Sequence, residues 1–302
     1  MKFDTQPGRL LLVDGDVTVA EYVYAPTEVQ LESPRPYALL RTRSGADVTA
    51  YRPADHVWHK GLSLALPVVG AHNFWGGPTY VHGSGYVQLP NNGAQVHRSF
   101  EIGTDDGPAE LVEQLDWVAE DGSLVLTEER RLTARPVDDA TWALTWHSAL
   151  TNVSGEQLGL GSPTSKGREN AGYCGIFWRG PDTFTGGEIL APSGPAGDAA
   201  RGEPGPWLAF AAADRSAGVL MLDGAVAPSP WFARSEEYAG LNPAPFFFTE
   251  TLLPPGETLV LSAALVVGDA DVAGHAAGVG AELVAELRAI TSTAATDSGE
   301  SA

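Results

Sequence analysis

Two long alternating runs about one Asp-Gly step, AELVEQLDWVAEDGSLVLTEERRLTA, constrain the fold of this chain more than any other feature. Residues two apart lie on one face of a strand. Leu111, Leu115 and Trp117 share a face on the first arm, and Leu124, Leu126 and Leu132 on the second. Asp121-Gly122 between them is a hairpin turn signal. The same grammar recurs along the chain. RLLLVDGDVTVAEYVY reads as strand, Asp-Gly turn, strand, and TWALTWHSALT sets Trp142, Leu144, Trp146 and Leu150 on one face, with His147 opposite as a surface residue. PWLAFAAAD, AGVLMLD, PFFFTETLL and TLVLSAALVV supply further strands.

Helix is scarce. GVGAELVAELRAI places Val279, Leu283, Leu287 and Ile290 at helical spacing, with a short helical turn before it around Asp271 to His275. Many long antiparallel strands and one helix imply an all-β fold, read here as a large antiparallel two-sheet sandwich with a C-terminal helix. Residues 1–290 read as a single β-sandwich domain and residues 291–302 as a disordered tail, because TSTAATDSGESA is small and polar. The segment 194–206 reads as a long flexible loop within that domain.

Charge narrows the partners. The 302 residues carry a formal charge of −20, from 38 acidic and 18 basic side chains. Such a field repels phosphate backbones and anionic lipid heads, so neither nucleic acid nor membrane is an expected partner; a small molecule is, and a neutral or cationic one fits this charge better. No run approaches 18 apolar residues and the first residues lack a signal-peptide pattern, so the chain is expected to be cytoplasmic. Cys174 is the one cysteine, set among apolar neighbours in AGYCGIFW, and reads as a small buried residue. GxGxxG after a strand, GxxxxGK[ST], HExxH and GxSxG are all missing, which removes the usual nucleotide and α/β-hydrolase signatures.

Three stretches concentrate chemistry. The first is DHVWHKGLSLALPVVGAHNFWGG, from Asp55 to Gly77. His56 and His59, three apart in a loop or one turn, can be aimed at one point, and Asp55 can set an imidazole tautomer. Asn73 offers hydrogen bonds and Trp75 a stacking face for a sugar ring, which is itself amphipathic. A metal would need a third ligand, with His72, His82, His97 and Glu101 the nearest candidates; His97 and Glu101 share a strand face but stand roughly 13 Å apart at ~3.3 Å per residue. No metal and no cofactor are therefore expected. His97 is retained as a substrate-binding candidate.

The second stretch is SPTSKGRENAGYCGIFWRG, where Lys166, Arg168, Glu169 and Asn170 arrive together before a strand holding Trp178 and Arg179. Arg168 and Arg179 could fork onto a carboxylate or a ligand hydroxyl; the plainer reading is a charged turn in which Lys166 or Arg168 pairs with Glu169. The third is PSPWFARSEEYAGLNPAPFFFTETLLPPGETLVLS, where Trp231, Phe232, Arg234 and Tyr238 can line a pocket wall. Glu250, on the strand behind, is a candidate acid or base if it faces inward.

These stretches, with RPYALLRTRSGADVTAYRPADHVWHKG ahead of them, resemble the PmoA-like family, whose members bear the label "methane oxygenase". The likeness runs from about Arg35 to about Val267. The family's first motif is similar to Asp-His-Pro-His-His-Arg-Gly-Leu. Asp55, His56 and His59 match it, while Val57, Trp58 and Lys60 depart. The resemblance implies a β-sandwich protein, and its outline is similar to the galactose-mutarotase-like fold.

Three functions are compatible with these residues. The first is a carbohydrate-processing enzyme acting on a sugar or sugar derivative, with His56 and His59 as base and acid and Glu250 as a further acid/base. The second is a non-catalytic carbohydrate-binding module using Trp75, Trp178 and Trp231 as stacking faces. The third is a metal-dependent oxygenase, as the family label suggests. The first two separate on whether the polar groups converge on one substrate-sized space.

Overall fold

The Asp121-Gly122 turn joins strands Ala109–Val118 and Leu124–Pro136 in antiparallel register, and Gly122 adopts φ 88°, a conformation glycine takes without a Cβ penalty. This hairpin is the centre of one edge of a nine-stranded sheet in a computed structural model that describes residues 1–103, 107–269 and 271–297. One finding corrects the alternating reading. The register shifts at Trp117/Val118, so Val125 and Leu126 are both buried while Leu124 is exposed. A bulge places two neighbours against one partner and moves the residue before them to the other face.

The nine-stranded sheet runs, in spatial order, Gly194–Pro195, Glu188–Ala191, Trp207–Ala211, Gly218–Asp223, Thr258–Gly268, Trp142–Asn152, Leu124–Pro136, Ala109–Val118 and Ala94–Ile102. An eight-stranded sheet runs Lys2–Gln6, Arg9–Asp14, Val17–Val23, Tyr37–Leu40, Leu62–Ala65, Gly175–Arg179, Gly240–Pro243 and Trp231–Arg234. Neighbouring strands are antiparallel. Side chains from both sheets meet in one core: Leu10, Leu62 and Ile176 from the second, Leu111, Trp117, Trp146 and Leu265 from the first. The all-β, two-sheet reading is thus what the chain adopts, with a three-stranded and a two-stranded sheet added at the periphery.

A polar cluster crosses that core. Glu113, fully buried, accepts hydrogen bonds from the Tyr22 hydroxyl and from His97 Nδ1, the latter at 2.7 Å. Arg130 donates to Tyr22 and to Gln95, and is paired with Glu128, which also accepts from Trp117 Nε1 at 2.7 Å. Each buried charge here has partners, as burial requires. His97 therefore serves this inter-sheet cluster, not a ligand site. His147 is also not at the surface: it is 5% exposed between Arg131 and Ser262 on flanking strands, and burial first, then Arg131, lowers its pKa.

The strand Gly218–Asp223 is apolar on both faces. Val219 and Met221 enter the main core, while Leu220 and Leu222 join Ala264 and Val266 in a second cluster under Leu283 and Leu287. The helix bearing those leucines runs Val279–Asp297, so residues 291–297 are helical and not a disordered tail; residues 298–302 lie outside the described residues. No described helix is long and apolar enough to cross a membrane. The segment 194–206 is not an open loop either: it holds the strand Gly194–Pro195 and the 3-10 turn Gly197–Ala200, and bridges to Pro230 and Trp231.

Candidate active site

The site begins at a double turn. Arg52 takes φ 48°, then His56 N–H donates to the Pro53 carbonyl and His59 N–H to the His56 carbonyl. Residues three apart are thereby set on one side, and the two imidazoles stack with centroids 4.6 Å apart and planes 5° from parallel. Strand Gly175–Arg179 pairs with Leu62–Ala65 and delivers Arg179 beneath them. Its Nη2 reaches both Asp55 oxygens at 3.0 and 2.9 Å, and its Nη1 lies 3.2 Å from His59 Nδ1. The face of Tyr238 covers the guanidinium at 4.1 Å.

These contacts assign protons. A guanidinium only donates, so His59 Nδ1 accepts and its Nε2 carries the hydrogen. Burial, with the charges of His56 and Arg179 adding, holds the His59 pKa well below the usual histidine value, so the ring is neutral. His56 Nδ1 lies 2.8 Å from Asp55 Oδ2. In its neutral form it donates that hydrogen to the carboxylate and leaves Nε2 as a lone pair. Partial burial works against the charged Asp55, but the His56 hydrogen bond and Arg179 outweigh it, and its pKa falls below the usual carboxylate value. Neither Nε2 has a partner among the described residues, and both rings line a cavity of about 400 Å³. That size suits a small ligand.

The walls are aromatic. Trp58, Trp75, Tyr86, Tyr173, Phe232 and Tyr238 surround the two histidines. Asn73 makes the turn that presents Trp75: its Oδ1 accepts from the amides of Trp75 and Gly76, and its Nδ2 donates to the Gly77 carbonyl and the Thr79 hydroxyl. Gly77 is required where it stands, since at φ 67° any Cβ would lie 2.8 Å from the Trp58 ring. Arg35, 1% exposed, donates to the carbonyls of Trp58, Trp75, Glu32 and Ser33 and to the Ser63 hydroxyl. One buried guanidinium thus holds both tryptophan-bearing segments, and burial brings its pKa to about 10.

Of the residues expected from sequence, Asp55, His56, His59, Trp75, Arg168 and Arg179 come together here, with Phe232, Arg234 and Tyr238 also in the walls. Others are elsewhere. Asn73 is behind the wall, spent on backbone contacts. Arg179 is held by Asp55 and cannot join Arg168 in a fork. Glu169 is exposed and does not line the cavity. Glu250 pairs with Lys166, so the pairing of Lys166 with Glu169 is also not formed. Trp178 is fully buried against Phe184 and Phe210, its indole donating to the Val48 carbonyl. Trp231 is 1% exposed and donates to the Gly205 carbonyl. Neither offers a stacking face to this cavity. Cys174 is buried as expected, and its thiol is pushed up to about 12 by burial.

Sequence reasoning missed Tyr86, Tyr173, Glu237 and the wall role of Trp58. The signal for Tyr173 was present in AGYCGIFW, but only its contacts with Trp75 and Phe232 show which side it faces.

The metal implied by an oxygenase label does not fit this donor set. Parallel stacked imidazoles confine their in-plane lone pairs to two separate parallel planes, which disfavours both meeting one ion, and the Asp55 carboxylate is occupied by Arg179 and His56. Among the described residues no three His, Cys, Asp or Glu side chains gather as a metal site needs.

A family model covers nearly all of these elements, from residue 9 to residue 281. The chain belongs to the family of unknown function DUF6807. No curated protein matches it. Among solved structures the chain is similar to a beta-arabinopyranosidase, at 12% identity and a TM-score of 0.43 over 83% of this chain. It spans 39% of that protein's chain.

Proposed function

We propose that the cavity is the active site of a carbohydrate-processing enzyme that works by proton transfer. The observation that carries this reading is the floor: an Asp55-oriented His56 with a free Nε2 lone pair, stacked on a neutral His59 with a free Nε2–H. His56 takes a proton from the substrate, and Asp55 steadies the imidazolium that forms. His59, being neutral, donates a hydrogen bond to oxygen where negative charge develops, without bringing a full charge of its own. The aromatic walls accept the C–H faces of a sugar ring, while its hydroxyls meet the histidines and Arg168. In a purely binding module the histidines would be dispersed or tied to backbone; here both rings line one ligand-sized cavity.

The test is thermal unfolding against a panel of sugars, sugar acids and oxidised sugars, followed by turnover assays on the hits. A ligand at about 100 times its dissociation constant adds ~2.7 kcal/mol of stability. His56→Ala is expected to keep binding and to lose 10²–10⁴-fold in turnover, on the order of a missing general base. A hit that the wild-type protein binds but never converts would make this a binding module, and no hit at all would remove the carbohydrate reading.

A further inference from the structure

The charge around the cavity does not sum to zero. On the floor, Arg179 neutralises Asp55, and His59 is uncharged. On one wall, Arg234 is paired with Glu237 at 2.6 Å. Arg168 is the exception. In a chain with 38 acidic side chains to 18 basic, it reaches the cavity with no carboxylate partner among the described residues. Its neighbour Lys166 takes Glu250, and Glu169 is turned to solvent.

Arg168 is also held in a defined pose. Its guanidinium lies 4.6 Å from the Tyr86 ring centroid and donates from Nη1 to the Tyr86 hydroxyl. That hydroxyl lies 2.7 Å from the hydroxyl of Tyr173. Tyr86 thus ties Arg168 to the Tyr173 side of the cavity through one hydroxyl pair. The Nε and Nη2 atoms of Arg168 have no partner among the described residues, and such an edge matches the two oxygens of a carboxylate.

We infer that the substrate of this site is an acidic sugar, a hexuronate or aldonate whose carboxylate is bound by Arg168. The inference rests on the carbohydrate reading above and adds the charge of the substrate to it. One unbalanced guanidinium suits a monoanion. A phosphate carries nearly two charges and calls for more than one cation. The overall charge of −20 opposes an anion at a distance, but salt screens exposed charges beyond about 8 Å, while contact inside a partly enclosed cavity is screened far less.

The experiment is calorimetric binding of D-glucuronate, D-galacturonate and D-gluconate beside D-glucose, D-galactose, glucose 6-phosphate and benzoate. The wild-type protein is compared with Arg168→Gln and Arg168→Lys. Arg168 is on a surface loop, and unchanged unfolding without ligand shows that each variant is folded. At least one acidic sugar is expected to bind tenfold or more tighter than its neutral parent. Arg168→Gln is expected to remove that advantage and Arg168→Lys to restore part of it. Neutral sugars binding as tightly as acidic ones, or a preference for the phosphate, would overturn the carboxylate assignment and leave the sugar site standing. Arg168-dependent binding of benzoate with no sugar bound would remove the sugar while keeping Arg168 as a carboxylate anchor. Silence from every compound overturns both.

Discussion

His56 and His59 share a residue type, a turn and a stacking partner, yet their surroundings give them opposite proton roles. Arg179 can only donate, so it makes an acceptor of His59 Nδ1; the Asp55 carboxylate only accepts, so neutral His56 carries its hydrogen on its own Nδ1. The buried state of His59 has a stability consequence. Its folded pKa lies below the unfolded value of about 6.5, so its contribution is complete above about pH 6.5 and is lost as the pH falls from there toward the folded value. Urea unfolding at pH 7.5, 6.5 and 5.5 is expected to show stability falling with acid, at up to about 1.4 kcal/mol per pH unit for each such group. His59→Gln should flatten this slope in part, since His147 is depressed in the same direction. Asp55 does not confuse the result: its stabilisation is lost only below about pH 3.9. An unaltered slope in His59→Gln would mean that His59 is charged in the folded protein.

At the scale of elements, the site is built from short turns, two of which meet where the Gly77 amide donates to the Leu31 carbonyl. The Pro53–His59 turns, the Asn73–Gly77 turn and the 3-10 turn Gln30–Glu32 are joined by Arg35, which has carbonyl acceptors in all three. Nearby, Glu32 is flanked by Arg52 and Lys60; burial works against its charge, but those two hydrogen bonds prevail and lower its pKa. Removing Arg35 leaves several buried carbonyls without donors, each at roughly 1–3 kcal/mol before relaxation. Arg35→Ala is therefore expected to lose at least about 3 kcal/mol in chemical denaturation and to weaken ligand binding through Trp58 and Trp75, whose carbonyls it holds. Wild-type affinity in a folded Arg35→Ala variant would show that the tryptophan segments hold their places without it.

At the scale of the whole molecule, the candidate cavity and the C-terminal helix belong to different parts of the sandwich. The cavity is lined from the eight-stranded sheet and its loops, whereas the C-terminal helix covers the outer face of the nine-stranded sheet through Leu283 and Leu287. Leu287 is fully buried, and Leu287→Ala is expected to cost about 2–5 kcal/mol by denaturation. Ligand affinity should not change, because no described residue of that helix lines the cavity. A loss of affinity in a variant still folded at the assay temperature would show that the two faces are coupled through the core.

Strand period, turn chemistry and composition are local properties, and what they specify could be read directly. The alternation about Asp121-Gly122 specified the hairpin, and helical spacing found Leu283 and Leu287. The polar run from Asp55 to His59 marked the floor of the site, because one turn suffices to bring those three side chains together. What failed depended on which strands lie side by side. Arg179 meets Asp55 across 124 residues only because Gly175–Arg179 pairs with Leu62–Ala65. The same pairing turns Trp178 into the core, one residue before Arg179, since neighbours on a strand face opposite ways. His97 and Glu250 carried the right chemistry but found partners elsewhere, in Glu113 and Lys166. The bulge beside Val118 and the helix over Leu220 likewise changed which side chains are covered. Sequence by itself determined the architecture and the polar floor of the site. The aromatic walls, the proton assignments and the unpaired Arg168 were decided only by tertiary structure, because each depends on contacts between strands and loops far apart in the chain.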